Sequence, residues 1–398
     1  MVPASIYKER RLKLSKILNN APIVVSGFDA VQQTNDASAP FIQESNFFWL
    51  TGITEPGWKL IFEGNKSTLI SAFKTEIQRT FDGGLSPEEA RLVSGVDSVV
   101  SKGEFEPLLA TLSIKNKKVY TVFKHPHSKY FDFVLNPAPQ KTLKILKHLF
   151  EEVMDCRKEL AKLKAIKSAK EIEFIQQAID ISIDGFNKVH EALTHARHEY
   201  EIEATLSYAF RSAGSSGHAY EPIVGVGKNA CTLHYIENSD PLPSSGMVLI
   251  DAGARVAGYA ADITRTFAIG APSEREKAVH YEVQQAQQKI IELIKPGYSF
   301  KEYEVAVDTI MKNALTALQL LNEPDDYRKY FPHAISHGLG IDVHDSLGGY
   351  ETFQEGMVLT VEPGIYIPEE GIGVRIEDDI LVTKTGNKNL SEALSTSL

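Results

Sequence analysis

The chain has 398 residues and carries 42 basic against 52 acidic side chains, which gives a net charge of −10. Its 43% hydrophobic and 24% charged residues are typical of globular proteins and exclude a disordered, collagen-like or fibrous chain. The acidic balance argues against nucleic acid or an anionic membrane as the main partner, because both repel negative charge. The length predicts two or three domains.

Cysteine content and hydropathy together predict a cytoplasmic protein. The two cysteines, Cys156 and Cys231, are too few for a disulfide framework or a cysteine-rich zinc site, and they fit a reducing compartment. Residues 1–20 lack the continuous apolar stretch of a secretory signal and are predicted to form an amphipathic helix. No apolar run approaches the ~20 residues that a membrane helix needs. We therefore expect no membrane partner.

The N-terminal part of the chain has the pattern of an α/β domain. Short apolar runs predict strands, and glycine and proline turn signals separate them. The predicted strands are Ile23–Ser26, Leu60–Phe62, Ser67–Phe73 and Val119–Phe123. A basic helical segment at residues 157–167 follows. We predict an N-terminal domain over residues 1–157 and a C-terminal domain over residues 158–398.

The C-terminal part combines long helices with strands. Three helices are predicted from capping boxes, in which a serine and a glutamate three residues later satisfy each other's backbone N–H groups. These pairs are Ser168 with Glu171, Ser273 with Glu276, and Ser299 with Glu302. Strands are predicted at Met247–Arg255, Gly258–Ala268, Gly356–Glu362 and Gly373–Thr383. Helices with an antiparallel sheet indicate an α+β domain.

Two aspartates lie on consecutive predicted strands. A turn centred between Val256 and Ala257 places Asp251 directly opposite Asp262, with Cβ atoms roughly 4.5–5.5 Å apart. If the turn is centred one residue later, the two aspartate side chains stay on one face of the sheet. If it is centred on Ala257 itself, they lie on opposite faces. Two ionised carboxylates that close repel each other unless a proton or a cation lies between them.

Further acidic residues and histidines follow in the same half of the chain. They are Glu362, Glu377, His333, His337 and His344. Each of them alone can be a turn, cap or surface residue, and Arg375 near Glu377 can form a plain surface ion pair. Together, however, four carboxylates after apolar strands are too costly to bury without cations, and two divalent ions would neutralise them. Oxygen ligands with one imidazole favour Mn²⁺ over thiolate-bound zinc, so the pattern predicts a dinuclear hydrolase.

These motifs resemble the pita-bread metallopeptidases, in the branch of Xaa-Pro aminopeptidases (aminopeptidase P) and prolidases. The matching segments are residues 41–56, 220–235, 249–253, 258–267, 336–345, 358–366 and 374–379. The resemblance implies a C-terminal pita-bread domain with a curved antiparallel sheet and covering helices, plus a smaller N-terminal α/β domain. It also implies a homodimer that takes proline-containing peptides and hydrolyses the bond before proline, releasing the N-terminal residue.

The resemblance also implies a role for each motif residue. The metal ligands would be Asp251, Asp262, His337, Glu362 and Glu377, with Asp262 and Glu377 bridging two divalent ions, which are Mn²⁺ or, alternatively, Zn²⁺ or Co²⁺. A hydroxide between the ions would attack the scissile carbonyl, Glu362 would transfer the proton, and His234 would stabilise the oxyanion. His344 would contact substrate. Other residues implied to line the site are His333, Tyr220, Tyr366 and Arg375, the last orienting a ligating carboxylate.

Two departures from the family pattern keep an alternative open. Gly338 follows the ligand histidine where related aminopeptidases often have a bulky aromatic residue, and the segment from Tyr366 to Arg375 is shorter than in many of them. An Xaa-Pro dipeptidase (prolidase) is therefore the second hypothesis. A non-catalytic protein-binding relative or a creatinase-like protein would lack the metal ligands, all of which are present here, and methionine aminopeptidases lack such an N-terminal domain.

Overall fold

The computed structural model describes residues 2–72, 74–124, 132, 134–323 and 326–398. The chain divides into two compact units, Met1–Leu163 and Lys164–Leu398. Within the described ranges, no helix combines the length and the apolar character needed to cross a membrane. Phe73, the last residue of one predicted strand, lies outside the described residues.

The first unit contains a six-stranded mixed sheet in the order β4-β3-β2-β1-β5-β6. Its strands are β1 (Ile23–Ser26), β2 (Lys59–Glu63), β3 (Lys66–Ile70), β4 (Ser98–Val100), β5 (Lys118–Thr121) and β6 (Glu152–Asp155). Its helices are α1 (Ala4–Ile17), α2 (Ser45–Thr51), α3 (Glu76–Asp82), α4 (Pro87–Ser94), α5 (Phe105–Lys115) and α6 (Pro137–Leu149). The predicted α/β class and the N-terminal helix are thus confirmed, while β3 and β5 end earlier than predicted.

The boundary between the units falls within α7 (Arg157–Ala165), and the second unit is α+β, as predicted. Its further helices are α8 (Ala169–Ala192), α9 (Glu199–Ser212), α10 (Glu274–Leu293), α11 (Phe300–Ala317) and α12 (Asp326–Tyr330). Its strands are β7 (Ile223–Val226), β8 (Gly246–Ala252), β9 (Arg255–Val256), β10 (Tyr259–Ala260), β11 (Ile263–Ile269), β12 (Val358–Val361), β13 (Gly364–Ile367), β14 (Ile372–Arg375), β15 (Asp378–Val382) and β16 (Asn387–Asn389).

Antiparallel pairing organises these strands. The described part of the second unit has two three-stranded sheets, β11-β8-β7 and β12-β15-β16, and two hairpins, β9-β10 and β13-β14. Helix α10 packs against β12 to β14 and against α11, and these elements share an apolar core that includes Val283, Met311, Leu359 and Val374. Burial of this core supplies the main driving force for folding of the unit.

Two of the three predicted capping boxes are present. The side chains of Ser168 and Ser273 each accept a hydrogen bond from the N–H of the glutamate three residues later, and that glutamate accepts one in return. The prediction for Ser299 is wrong, because its side chain makes no cap at the start of α11. Its backbone forms a β-bridge with Thr352 instead, and the N–H of the next residue donates to Glu351.

The hairpin that carries the two aspartates has a different register from the one predicted first. Ala257 and Gly258 join β9 to β10 with φ values of 50° and 88°, and a two-residue turn of this kind requires positive φ at both positions. Asp251 therefore pairs with Thr264, and the prediction that it lies directly opposite Asp262 is wrong. The register with the turn one residue later is observed, and it keeps both aspartates on one face.

Candidate metal centre

Three of the four predicted carboxylates lie at breaks between consecutive strands. Asp262 lies between β10 and β11, Glu362 between β12 and β13, and Glu377 between β14 and β15, whereas Asp251 lies within β8. The predicted strands Gly258–Ala268 and Gly373–Thr383 are each divided in two at these points. The backbone of Glu377 still forms a β-bridge with Thr264, the residue that pairs with Asp251, so these strands bring carboxylates together at one site.

A single phenol group joins the two aspartates. The Tyr220 Oη atom lies 2.5 Å from Oδ1 of Asp251 and 2.5 Å from Oδ1 of Asp262. Burial, followed by the neighbouring Asp251 carboxylate, raises the pKa of Tyr220 well above its usual value. Since a neutral phenol has one proton to donate, the second short contact requires a further positive charge or proton nearby.

His337 lies at the centre of the carboxylate group. Its Nε2 atom is 3.4 Å from Oδ2 of Asp262 and 3.5 Å from Oε1 of Glu362. Asp262, His337 and Glu377 each present a ligand atom within 4.8 Å of the others. The Nδ1 atom of His337 lies 3.1 Å from the carbonyl oxygen of Gly338. A tautomer with the proton on Nδ1 would therefore direct the Nε2 lone pair at the carboxylates.

The electrostatics of this group favour a bound cation. Burial, followed by neighbouring carboxylates, raises the pKa values of Asp262, Glu362 and Glu377 well above their usual range. Burial, with His344 beside it, lowers the pKa of His337 to about 4. Both shifts disfavour the charged forms of these side chains. A divalent cation reverses the penalty on the carboxylates and binds neutral imidazole, so the donor set fits such an ion.

Arg375 neutralises part of the negative charge of the carboxylates. It is only 4% exposed, so the interpretation as a surface ion-pair residue is wrong. Its guanidinium donates to Oδ2 of Asp251 at 2.6 Å, to Oγ1 of Thr264 at 3.0 Å and to Oη of Tyr366 at 2.9 Å. The Thr264 hydroxyl in turn donates to Oε2 of Glu377 at 2.7 Å.

The remaining predicted histidines surround His337 and Glu362. His333 Nε2 lies 2.9 Å from Oη of Tyr366, and burial lowers the pKa of His333 to about 3. The exposed ring of His344 lies 4.3 Å from the His337 ring, measured between centroids. His234 is also exposed, and it lies close enough to influence the titration of both His333 and His344. The structure thus brings the predicted residues together in one region.

Two family descriptions match the chain. "Metallopeptidase family M24" matches residues 173–384, and "Aminopeptidase P, N-terminal domain" matches residues 7–121. The chain belongs to metallopeptidase family M24. This M24 metallopeptidase is therefore an enzyme of a family that binds divalent metal.

Two relatives that match this M24 metallopeptidase over nearly the full chain are named Xaa-Pro aminopeptidases. The chain is 34% identical to that of Haemophilus influenzae, over 99% of this chain and 95% of the relative, and 31% identical to that of Escherichia coli, over 97% and 94%. An Xaa-Pro dipeptidase of Pyrococcus horikoshii is 35% identical over 61% of this chain and 66% of its own. The solved structure of proline aminopeptidase P II from Yersinia pestis has a TM-score of 0.86 at 30% identity, covering 100% of this chain and 98% of that one.

Two threonines that the sequence motifs did not single out hold the metallopeptidase site together. Thr264 links Arg375 to Glu377, and Thr360 lies 3.4 Å from Oε1 of Glu362 while accepting the His337 N–H at 3.2 Å. Both threonines are buried on strands of mostly buried residues, and Thr360 is the one polar residue of β12, which was the available signal. Unpaired hydroxyls are costly in such positions, so a threonine there indicates a polar partner.

Proposed function

We propose that the protein is an Xaa-Pro aminopeptidase, a metal-dependent hydrolase that cleaves the peptide bond before proline and releases the N-terminal residue. The observation that carries this proposal is the grouping of Asp262, Glu362 and Glu377 around His337: Asp262 and Glu377 are buried, and burial lowers the pKa of the His337 imidazole to about 4. Full-length similarity to named Xaa-Pro aminopeptidases supports the substrate class.

The proposed metal ligands are two aspartates, two glutamates and one histidine. They are Asp251, Asp262, His337, Glu362 and Glu377, which together would hold two divalent cations. When bound, such cations act as Lewis acids toward a carbonyl and lower the pKa of water. Four carboxylates, one of them paired with Arg375, leave more negative charge than one divalent ion can neutralise, and this supports two ions over one. The preference for Mn²⁺ over Zn²⁺ or Co²⁺, the homodimer and the cytoplasmic location stay predictions.

The chain's own groups would move the proton and hold the substrate. Glu362, whose Oε1 lies 3.5 Å from Nε2 of His337, would accept a proton from water and return it to the leaving nitrogen. His234 and His344 are exposed at the site and can donate to the substrate carbonyl region. His333, hydrogen-bonded through Nε2 to Tyr366, would contact the proline ring.

Proline as the residue after the cut imposes a shape requirement. Its nitrogen forms a tertiary amide without N–H, so the enzyme has no hydrogen bond from that atom to recognise. Selectivity must then come from a surface that fits the pyrrolidine ring. The half-buried ring of His333, held by its hydrogen bond to the buried Tyr366, is suited to this contact.

Packing alone accounts for Gly338, which was one argument for the dipeptidase alternative. A Cβ atom on Gly338 would lie 2.7 Å from the carbonyl oxygen of Asp345, closer than such atoms approach. Gly338 also forms β-bridges with both Asp345 and Leu359. The glycine is therefore required by the local backbone and does not by itself favour dipeptides.

Hydrolysis of a tripeptide tests the proposed function. The Mn²⁺-loaded protein is expected to release the first residue from Xaa-Pro-Xaa, measured by chromatographic separation of the products. The matched peptide Xaa-Ala-Xaa should be cut far more slowly, because it lacks the pyrrolidine ring. Cleavage of Xaa-Pro dipeptides with no cleavage of tripeptides would establish the dipeptidase alternative instead.

Metal titration tests the proposed dinuclear site. After removal of metal by a chelator, addition of Mn²⁺ and desalting, the protein is expected to retain close to two ions per chain by elemental analysis. Metal should also raise the melting temperature, because binding to the folded state stabilises it by about 2.7 kcal/mol at a free concentration of 100 times Kd. One retained ion per chain would contradict the dinuclear arrangement, and none would contradict the metal site.

A further inference from the structure

A buried ion cluster lies next to the loop that carries two of the site histidines. Lys164 Nζ lies 3.3 Å from Oδ1 of Asp345, and Lys167 Nζ lies 3.3 Å from Oδ2 of the same carboxylate. The side chains of Lys167 and Asp345 are only 1% and 4% exposed. Burial alone would raise the pKa of Asp345, but the two ammonium groups hold it below its usual value.

Asp345 connects this cluster to the metal site. It directly follows His344 in the chain, and its N–H donates to the carbonyl oxygen of Gly338 at 2.8 Å. Gly338 directly follows His337, whose ring contacts that of His344. The Asp345 carboxylate therefore anchors the loop of residues 338–345 at the point where its two ends, and hence both histidines, meet.

The backbone around Lys167 is itself held firmly. Its N–H donates to the carbonyl oxygen of Gly356 at 2.9 Å, and the capping box of Ser168 and Glu171 begins at the next residue. A lysine side chain that starts from a rigid backbone loses less freedom when it binds Asp345. The basic segment and the first capping box, both visible in the sequence, thus both help to hold Lys167 beside Asp345.

We propose that Lys164 and Lys167 are positioning residues for the peptidase reaction, acting through Asp345 to fix the loop that places His337 and His344. The proposal rests on the proposed function for the roles of these two histidines. Buried ion clusters are a poor source of net stability, since apolar replacements often stabilise proteins equally well. A placement role therefore explains the cluster better than a purely structural one.

Substitution of Lys167 by methionine removes the charge and keeps the length of the side chain. For Lys167→Met we expect a Mn²⁺ affinity weakened roughly tenfold by calorimetry and a kcat on Xaa-Pro-Xaa lowered roughly tenfold at saturating metal, the lower end for loss of a group that orients a ligand. Lys170→Met is the matched control, because Lys170 forms an exposed pair with Glu173 nearby. Its Mn²⁺ affinity and kcat should stay within about twofold of wild type.

A second variant displaces the anchor without removing a charge. A Cβ atom on Gly340 would lie 2.6 Å from Oδ2 of Asp345, so Gly340→Ala should shift the carboxylate and weaken Mn²⁺ binding and kcat in the same direction. If Lys167→Met does not fold, Gly340→Ala still tests the positioning role. Wild-type Mn²⁺ affinity and kcat in the folded variants, with only a lower melting temperature, would overturn the proposal.

Metal affinity separates this proposal from the proposed function. If the wild-type protein cleaves no Xaa-Pro peptide, the proposed function fails, but the calorimetric comparison of wild type, Lys167→Met and Lys170→Met still tests the positioning of His337. Weakened Mn²⁺ binding in Lys167→Met alone would then support the positioning role. Equal Mn²⁺ binding in all three proteins would overturn it whatever the peptide assay shows.

Discussion

Replacing Glu377 by glutamine is expected to lower kcat/KM on a proline tripeptide by on the order of 10³-fold, beyond the roughly 10–100-fold typical of groups outside the ligand shell. Glu377 is 2% exposed and presents an oxygen within 4.8 Å of the ligand atoms of Asp262 and His337. The substitution conserves volume but removes one negative charge and offers an amide where a carboxylate oxygen stood. If Glu377 is shared by two cations, both should bind more weakly.

The matched control for this variant is Glu392→Gln, which changes the same groups at an exposed position of the same unit. Steady-state kinetics over a range of Mn²⁺ concentrations, with elemental analysis of the bound metal, distinguishes the two proteins. Glu392→Gln should match the wild type. Near-normal turnover of Glu377→Gln at low metal would contradict a shared ligand at this position.

The residues of the candidate site could be singled out from the sequence because their signals are local. Asp262, Glu362 and Glu377 interrupt apolar strand patterns, and a buried carboxylate needs a counter-charge wherever it lies. Glycine-flanked His337 and the motif spacing added the family resemblance. These signals depend on residue type and neighbouring sequence, and both are visible without a structure.

Features that depend on contacts between distant segments could not be predicted in the same way. The choice between two registers of the Asp251 hairpin depended on whether Ala257 could adopt positive φ, and residue type alone does not decide that. Ser299 matched the capping-box pattern, yet its backbone forms a β-bridge with Thr352 instead. Helix α9 and strand β7 were missed altogether, although both pack within the second unit.

Buried charges also change the meaning of the acidic composition. The net charge of −10 counts Asp251, Asp262, Glu362 and Glu377 as though they were surface groups. Three of them are at most 7% exposed, and Arg375 balances only one unit of their charge. Part of the acidity therefore lies inside the protein, where the proposed metal ions would balance it, and the surface is less acidic than the composition indicates.

Replacing Arg375 by methionine is expected to weaken Mn²⁺ binding roughly 10–100-fold and to lower kcat/KM by a similar factor, because Asp251 loses the group that orients it. Breaking a buried ion pair typically costs about 3–5 kcal/mol, so the metal-free protein should also lose stability toward denaturant. Arg375→Lys keeps the charge, but one ammonium cannot reproduce the fork that reaches Asp251, Thr264 and Tyr366. It should therefore lie between wild type and Arg375→Met.

Arg275→Met provides the control for Arg375→Met, since Arg275 pairs with Glu370 at a site where both side chains are about one-third exposed. A solvent-exposed pair contributes about 0–1 kcal/mol, so this variant should keep the wild-type Mn²⁺ affinity and nearly all of its stability. Calorimetric Mn²⁺ titration and urea unfolding of the metal-free proteins give the two quantities separately. If Arg375→Met lost stability but bound Mn²⁺ as the wild type does, Arg375 would neutralise Asp251 without orienting it as a ligand.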